Sequence, residues 1–114
     1  MSVKLNTRQV GDVSVIDVSG RITLGEGSST LRDALRELAG KGQKKILLNL
    51  GEVSYIDSSG IGELVSGFTS VTNSGGQLKL LNLTKRVKDL LQITKLYTVF
   101  DVHESEASAV RSFA

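Results

Sequence analysis

Residues 45–50 hold Ile46, Leu47, Leu48 and Leu50 with a single polar residue, Asn49, among them. A short apolar stretch with so little interruption predicts a central strand buried on both faces. Such a strand needs helices packed over its sheet, and the flanking sequence supplies them. Before the run, Leu31, Ala34, Leu35, Leu38 and Ala39 recur at helical spacing and stop at Gly40 and Gly42. Ser28, Ser29 and Thr30, at the end of a small polar stretch from Gly25, are possible caps for that helix. After the run, Ile61, Leu64, Val65, Phe68 and Val71 mark one face of a second helix, closed by Gly75-Gly76. Residues 77–82 read as the next strand, through Leu78, Leu80 and Leu81. Thr84 can cap a third helix carrying Val87, Leu90 and Leu91. Residues 99–102 predict a last short strand, and 104–113 a final helix whose acidic start suits the helix dipole.

At the N-terminus, residues 3–10 and 13–18 are rich in β-branched residues and are separated by Gly11-Asp12, a good two-residue hairpin turn. The whole pattern predicts an α/β fold. A single layer of mixed, mainly parallel sheet begins with an antiparallel hairpin and is covered by about four helices. At 114 residues the chain is expected to be one domain, residues 1–114. No apolar run approaches the roughly 18 residues of a membrane span, and no basic-then-apolar leader opens the chain.

Composition narrows the chemistry. There is no Cys and a single His, so neither a thiolate zinc site nor a two-histidine metal motif can form, and no cysteine nucleophile exists. No catalytic residue, metal or cofactor is expected. The pI near 9 is misleading, because 14 basic against 12 acidic residues leave a formal charge of only +2. The basic clusters Lys41, Lys44, Lys45 and Lys85, Arg86, Lys88 are small and read as solvated faces. With only five aromatic residues beside them, nucleic acid is not an expected partner.

The informative segment is Val53-Ser54-Tyr55-Ile56-Asp57-Ser58-Ser59-Gly60-Ile61-Gly62-Glu63-Leu64, in which Asp, two Ser and Gly sit where a loop after the central strand becomes a helix. Loops at the carboxyl ends of strands in open α/β sheets are where functional sites collect. The first helical turn carries unpaired N–H groups with partial positive charge, and an added phosphate there would face them. Read structurally, Asp57, Ser58 or Ser59 is the N-cap, and Gly60 and Gly62 allow a tight turn. Ile61 and Leu64 fit core positions by their spacing.

On this strand, loop and helix the motif Asp57-Ser58-Ser59-Gly60-Ile61-Gly62 resembles the signature of STAS domains of the anti-sigma factor antagonist family. Val18-Ser19-Gly20-Arg21-Ile22 resembles the family's first-half signature, and Ile46-Leu47-Leu48-Asn49-Leu50 its central strand. Ser74-Gly75-Gly76-Gln77-Leu78-Lys79-Leu80 and Leu90-Leu91-Gln92-Ile93-Thr94-Lys95-Leu96 resemble later segments, so the likeness runs from about residue 3 to residue 113. The resemblance implies a cytoplasmic bacterial partner switch without enzymatic activity. In the family the first Ser after the Asp, here Ser58, is phosphorylated by a serine kinase that is also the anti-sigma factor. The unphosphorylated antagonist binds that kinase and frees the sigma factor, and a PP2C-type phosphatase reverses the modification. By this likeness Ser58 is the phosphoacceptor, with Ser59 the alternative acceptor and the expected N-cap. Asp57 positions the hydroxyl or meets the partner, and Gly60 and Gly62 keep the helix entrance open. The partner-binding set is Asp57, Ser58, Ser59, Gly60, Ile61 and Gly62.

Two positions depart from the family. Thr23 stands where many members carry an acidic residue, and Thr94-Lys95 replaces a Thr-Gly pair. The competing uses of the same fold are a signalling scaffold or a component of a lipid-transport complex. A hydrolase is disfavoured, because the Gly-x-Ser-x-Gly elbow and the Walker loop are both absent. The one histidine, His103, reads as a surface residue at a helix start.

Overall fold

The computed structural model describes residues 3–23 and 25–113, with the side chains of residues 26–28 outside the described set. Five strands and four helices follow in the order β1 (Val3–Val10), β2 (Val13–Ile22), α1 (Glu26–Gly40), β3 (Lys45–Ile56), α2 (Ser58–Asn73), β4 (Gln77–Leu81), α3 (Lys85–Ile93), β5 (Asp101–His103) and α4 (Glu106–Ser112). The strands lie side by side in sequence order. β1 and β2 are antiparallel, joined across Gly11-Asp12 with Gly11 at positive φ, and the remaining pairs are parallel. The mixed, mainly parallel α/β sheet with an N-terminal hairpin is therefore what the sequence predicts. No helix among the described residues is long and apolar enough to cross a membrane.

Several boundaries differ from the sequence reading, among them that of β2, which runs on to Ile22 instead of stopping at Val18. β3 does not end at Leu50 but runs on through Ile56, so the supposed loop at 53–56 is strand. Its register against β2 steps from Asp17↔Asn49 to Ser19↔Glu52 and from Gly20↔Val53 to Arg21↔Tyr55. Each step places one extra residue on β3, a bulge that bends the strand and re-aims its side chains. Leu48, Leu50, Val53 and Ile56 therefore all reach the same core, although their spacing is two, then three, then three. α1 begins at Glu26 after Gly25, before the three candidate caps. Ser29 instead donates its hydroxyl to the Gly25 carbonyl from inside the helix, while the Ser28 side chain lies outside the described residues. β5 begins at Asp101, and α4 begins at Glu106 behind a Ser105 cap.

The two faces of the sheet are covered unequally. Leu31, Leu35 and Leu38 of α1, Ile61, Leu64 and Val71 of α2, and Val87 and Leu91 of α3 close the larger core over Ile16, Ile46, Leu48 and Leu80. Helices α1 and α2 meet closely, since a Cβ at Gly67 would fall 2.2 Å from the Leu35 Cδ1. On the opposite face, Ala109 and Phe113 join a smaller cluster with Val13, Val15, Leu47 and Leu81. There α4 is also held at both ends by cations from the sheet. Arg8 grips Asp17 (2.7 and 3.1 Å) and Glu106 in the first turn of α4 (2.5 and 3.1 Å). Lys79, almost fully buried, donates to the Ser112 carbonyl and hydroxyl at the other end and pairs with Asp101 at 3.0 Å.

Candidate functional site

The site forms where β3 hands over to α2. Asp57 is extended (φ −110°, ψ −174°), and its carboxylate accepts the Gly60 N–H at 2.9 Å. Asp57 is therefore the N-cap of α2, not Ser59 as the sequence suggested. The reason lies in β3: the strand runs through Ile56, so the first non-helical residue available to cap is Asp57. The Asp57 N–H in turn donates to the Ile22 carbonyl at 3.3 Å, which ties the start of α2 to the end of β2.

Ser58 occupies the first position of the helix and is exposed, while Ser59 is half-buried. Gly60 is buried, and a Cβ there would lie 2.4 Å from the Ile22 carbonyl oxygen and 2.7 Å from the Ile56 Cγ1. Its glycine is explained by this close approach to β2. Gly62 is exposed with open space around it. Ile61 and Leu64 are buried in the larger core. Of the six residues named from the sequence, Ser58 and Gly62 thus face solvent, Asp57 and Ser59 are half-buried, and Gly60 and Ile61 are packed inside. Next to them, Glu63 accepts from Arg32 of α1 at 3.2 Å, an ion pair that links the second turns of the two helices.

A second group escaped the sequence reading. Tyr55, two residues before the cap, has the Arg21 guanidinium 4.9 Å and the Arg86 guanidinium 4.4 Å from its ring centre. Arg21 is register-paired with Tyr55 by the second bulge, and Arg86 arrives from the first turn of α3. Only the basic cluster 85–88 hinted at Arg86, and periodicity alone assigns it to a solvated face.

Thr23 is half-buried directly after β2. Lys95 adopts φ +61°, the left-handed conformation that a glycine in its place would take without strain, so the turn after α3 is kept. A cleft of about 510 Å³ opens elsewhere along the strand ends, lined in part by Gly51, Glu52, Asn82, Thr84, Lys88 and Glu104. None of residues 57–62 lines it.

His103 lies near Asp101 and Ser112, the residue types of a hydrolytic triad, but the arrangement is wrong for one. Asp101 (3.2 Å) and Ser112 (3.5 Å) both approach the same nitrogen, Nε2, whereas a base needs its orienting carboxylate on the other nitrogen. The Ser112 hydroxyl is moreover committed to the Ala109 carbonyl and to Lys79. Lys79, and then His103, hold the Asp101 carboxyl below its usual range. Among the described residues no group of three or more His, Asp or Glu is arranged to hold a metal ion.

Comparison with known proteins follows the same outline. The STAS domain family profile matches residues 4–109. The anti-sigma-B factor antagonist of Bacillus subtilis (strain 168) is 32% identical over 111 residues, covering 97% of this chain and 100% of that protein. A crystal structure from Thermotoga maritima superposes with a TM-score of 0.87 at 24% identity, over 96% of this chain and 93% of the other. The Bacillus cell fate determinant SpoIIAA in its phosphorylated form gives 0.74 at 20% identity, over 95% and 97%. At these identities the structural matches speak to the fold.

Proposed function

The chain belongs to the STAS domain family, and from that membership we propose that it acts as an anti-sigma factor antagonist switched by phosphorylation of Ser58. The unphosphorylated protein binds an anti-sigma serine kinase and thereby releases the sigma factor. Phosphorylation ends that binding, and a PP2C-type phosphatase restores it. The protein performs no chemistry of its own and acts by being recognised.

The observation that carries this reading is the exposed Ser58 at the first position of α2, directly after the Asp57 cap. A phosphate there gains from the N–H groups of the first turn but must sit beside the Asp57 carboxylate. It brings a charge of about −1.5 to −2 into a surface fitted to a neutral hydroxyl. A partner that dehydrates this surface then meets an uncompensated anion, and affinity falls. Ser59, half-buried one position on, is the second candidate acceptor.

The test is phosphate-affinity electrophoresis with the kinase that co-purifies from the native cell. The wild type shifts with ATP, and Ser58→Ala does not. Ser58→Asp binds that kinase at least about tenfold more weakly, about 1.4 kcal/mol, by calorimetry. A shift that persists in Ser58→Ala moves the acceptor elsewhere, and equal affinities for Ser58→Asp remove the electrostatic switch.

A further inference from the structure

The geometry points to a second recognition element beside Ser58: Arg21 and Arg86, stacked on Tyr55, form a clamp for acidic side chains of a protein partner. This rests on the reading of the Ser58 end of the sheet as the partner-facing surface. Three elements converge to build it, namely the end of β2, the bulged end of β3 and the first turn of α3. Both guanidinium groups belong to exposed residues and lie within cation–π distance of one half-buried ring.

What sets these two arginines apart is that they share one ring while neither has a counter-charge. Arg8, Arg32, Lys45, Lys79 and Lys85 each pair with a carboxylate. Among the described residues no ion pair or hydrogen bond to a carboxylate engages Arg21 or Arg86. Two like charges are thus gathered on one ring and left uncompensated. Contact with the ring restrains the two guanidinium groups in advance, and a guanidinium held over a ring still has N–H donors to offer an oxyanion. The side-chain ordering that normally opposes such a contact is therefore partly done before binding.

The clamp also adjoins the switch. Arg21 precedes Ile22, whose carbonyl receives the Asp57 N–H, and Tyr55 lies three residues before Ser58. A partner seated on Ser58 would cover it. Tyr and Arg are among the residues most enriched at the centres of protein interfaces. That favours acidic side chains of a protein over a free phosphate as the occupant.

The experiment uses the full chain, NMR signals of the Arg21 and Arg86 Nε–Hε groups and the Tyr55 ring, and N-acetyl tetraglutamate as the probe. Inorganic phosphate and a short single-stranded oligonucleotide serve as comparison ligands. The peptide is expected to shift all three sets of signals in a saturable way at low salt, and the shift to collapse as ionic strength rises past about 0.2 M. Saturation is lost in Arg21→Gln/Arg86→Gln, which retains the wild-type melting temperature because both side chains are exposed. Unsaturable shifts, or tighter saturation by phosphate or by the oligonucleotide, overturn the clamp. Because the probe is a peptide and not the kinase, that failure is separate from any failure of Ser58 as phosphoacceptor.

Discussion

Helices α2 and α4 are both fastened to the same sheet, but by opposite means. The entrance of α2 is held by shape. Gly60 lets the helix start against the Ile22 carbonyl, where an added Cβ would meet backbone, and Gly67 lets it press on the Leu35 side chain, which a Cβ would displace. α4 adds charge to a small apolar cluster, with Arg8 at its first turn and Lys79 at its last. Steric contacts do not titrate and are not screened by salt, whereas ion pairs do both. The contrast shows how α2 could take on the charge of the proposed Ser58 phosphate without losing its scaffold. The element that bears Ser58 is seated chiefly by steric contacts indifferent to charge, to which the Asp57 cap and the Arg32–Glu63 pair are added.

Of the substitutions that test how α2 is seated, Gly60→Ala should have the largest effect. The added methyl meets backbone at 2.4 Å and two isoleucine side chains within 3 Å, so α2 must shift at its N-terminus. A loss of about 3 kcal/mol is expected in urea denaturation, unchanged between low and high salt. A loss below about 0.5 kcal/mol would mean that the close approach is not what seats α2.

Arg8→Gln tests the other half, with a smaller effect. Arg8 and its partners are each about a third exposed, so the network is worth about 1 kcal/mol rather than the sum of its bonds. Its signature is in pH. Hydrogen bonds from Arg8 hold both Asp17 and Glu106 below the usual carboxylate range. Groups depressed in the folded state stabilise it fully above their unfolded values near about pH 4, and that contribution is lost as pH falls through the lower folded values. The wild type should therefore exceed Arg8→Gln in stability from pH 6 to 8 by about 1 kcal/mol, with the gap closing below about pH 4. A gap that stays constant with pH would assign Arg8 a packing role instead.

How far the sequence could be read follows the same division between regular and irregular backbone. Helices α1, α2 and α3 are visible from their apolar spacing and α4 from its acidic start, and the parallel sheet follows from strands alternating with helices, because these are local signals. What stayed hidden depends on where that period breaks. The bulges on β3 turn a two-residue spacing into three between Leu50, Val53 and Ile56, so the second half of the strand looks like loop. The mistaken cap follows directly, since a strand ending early leaves Asp57 inside a loop and hands the capping role to Ser59. The site motif itself was legible as a block of Asp, Ser and Gly at a helix start. Arg21, Tyr55 and Arg86 were not, because residues 34 and 31 positions apart are joined only by sheet register and the arrival of α3. Lys95 carries the opposite lesson, for there the chain keeps a turn that its residue type does not favour.

The finest distinction between the two helices lies in their caps, and it bears on the switch. Asp57 accepts the Gly60 N–H at 2.9 Å in a half-buried setting, whereas Ser105 accepts the Ser108 N–H at 3.3 Å in the open. Asp57→Ala should cost about 1 kcal/mol and Ser105→Ala about 0.5 kcal/mol in chemical denaturation. Asp57→Asn separates the two duties of the aspartate. Asn caps a helix about as well as Asp, so stability should hold within a few tenths of a kcal/mol. The like charge beside Ser58 is nevertheless gone. If repulsion from Asp57 is what makes a phosphate there costly, phosphorylation of Asp57→Asn will weaken kinase binding less than phosphorylation of the wild type does, by calorimetry on both pairs. An equal loss in both proteins would place the whole penalty on the partner's side of the interface, and Asp57 would then serve only to hold the helix in place.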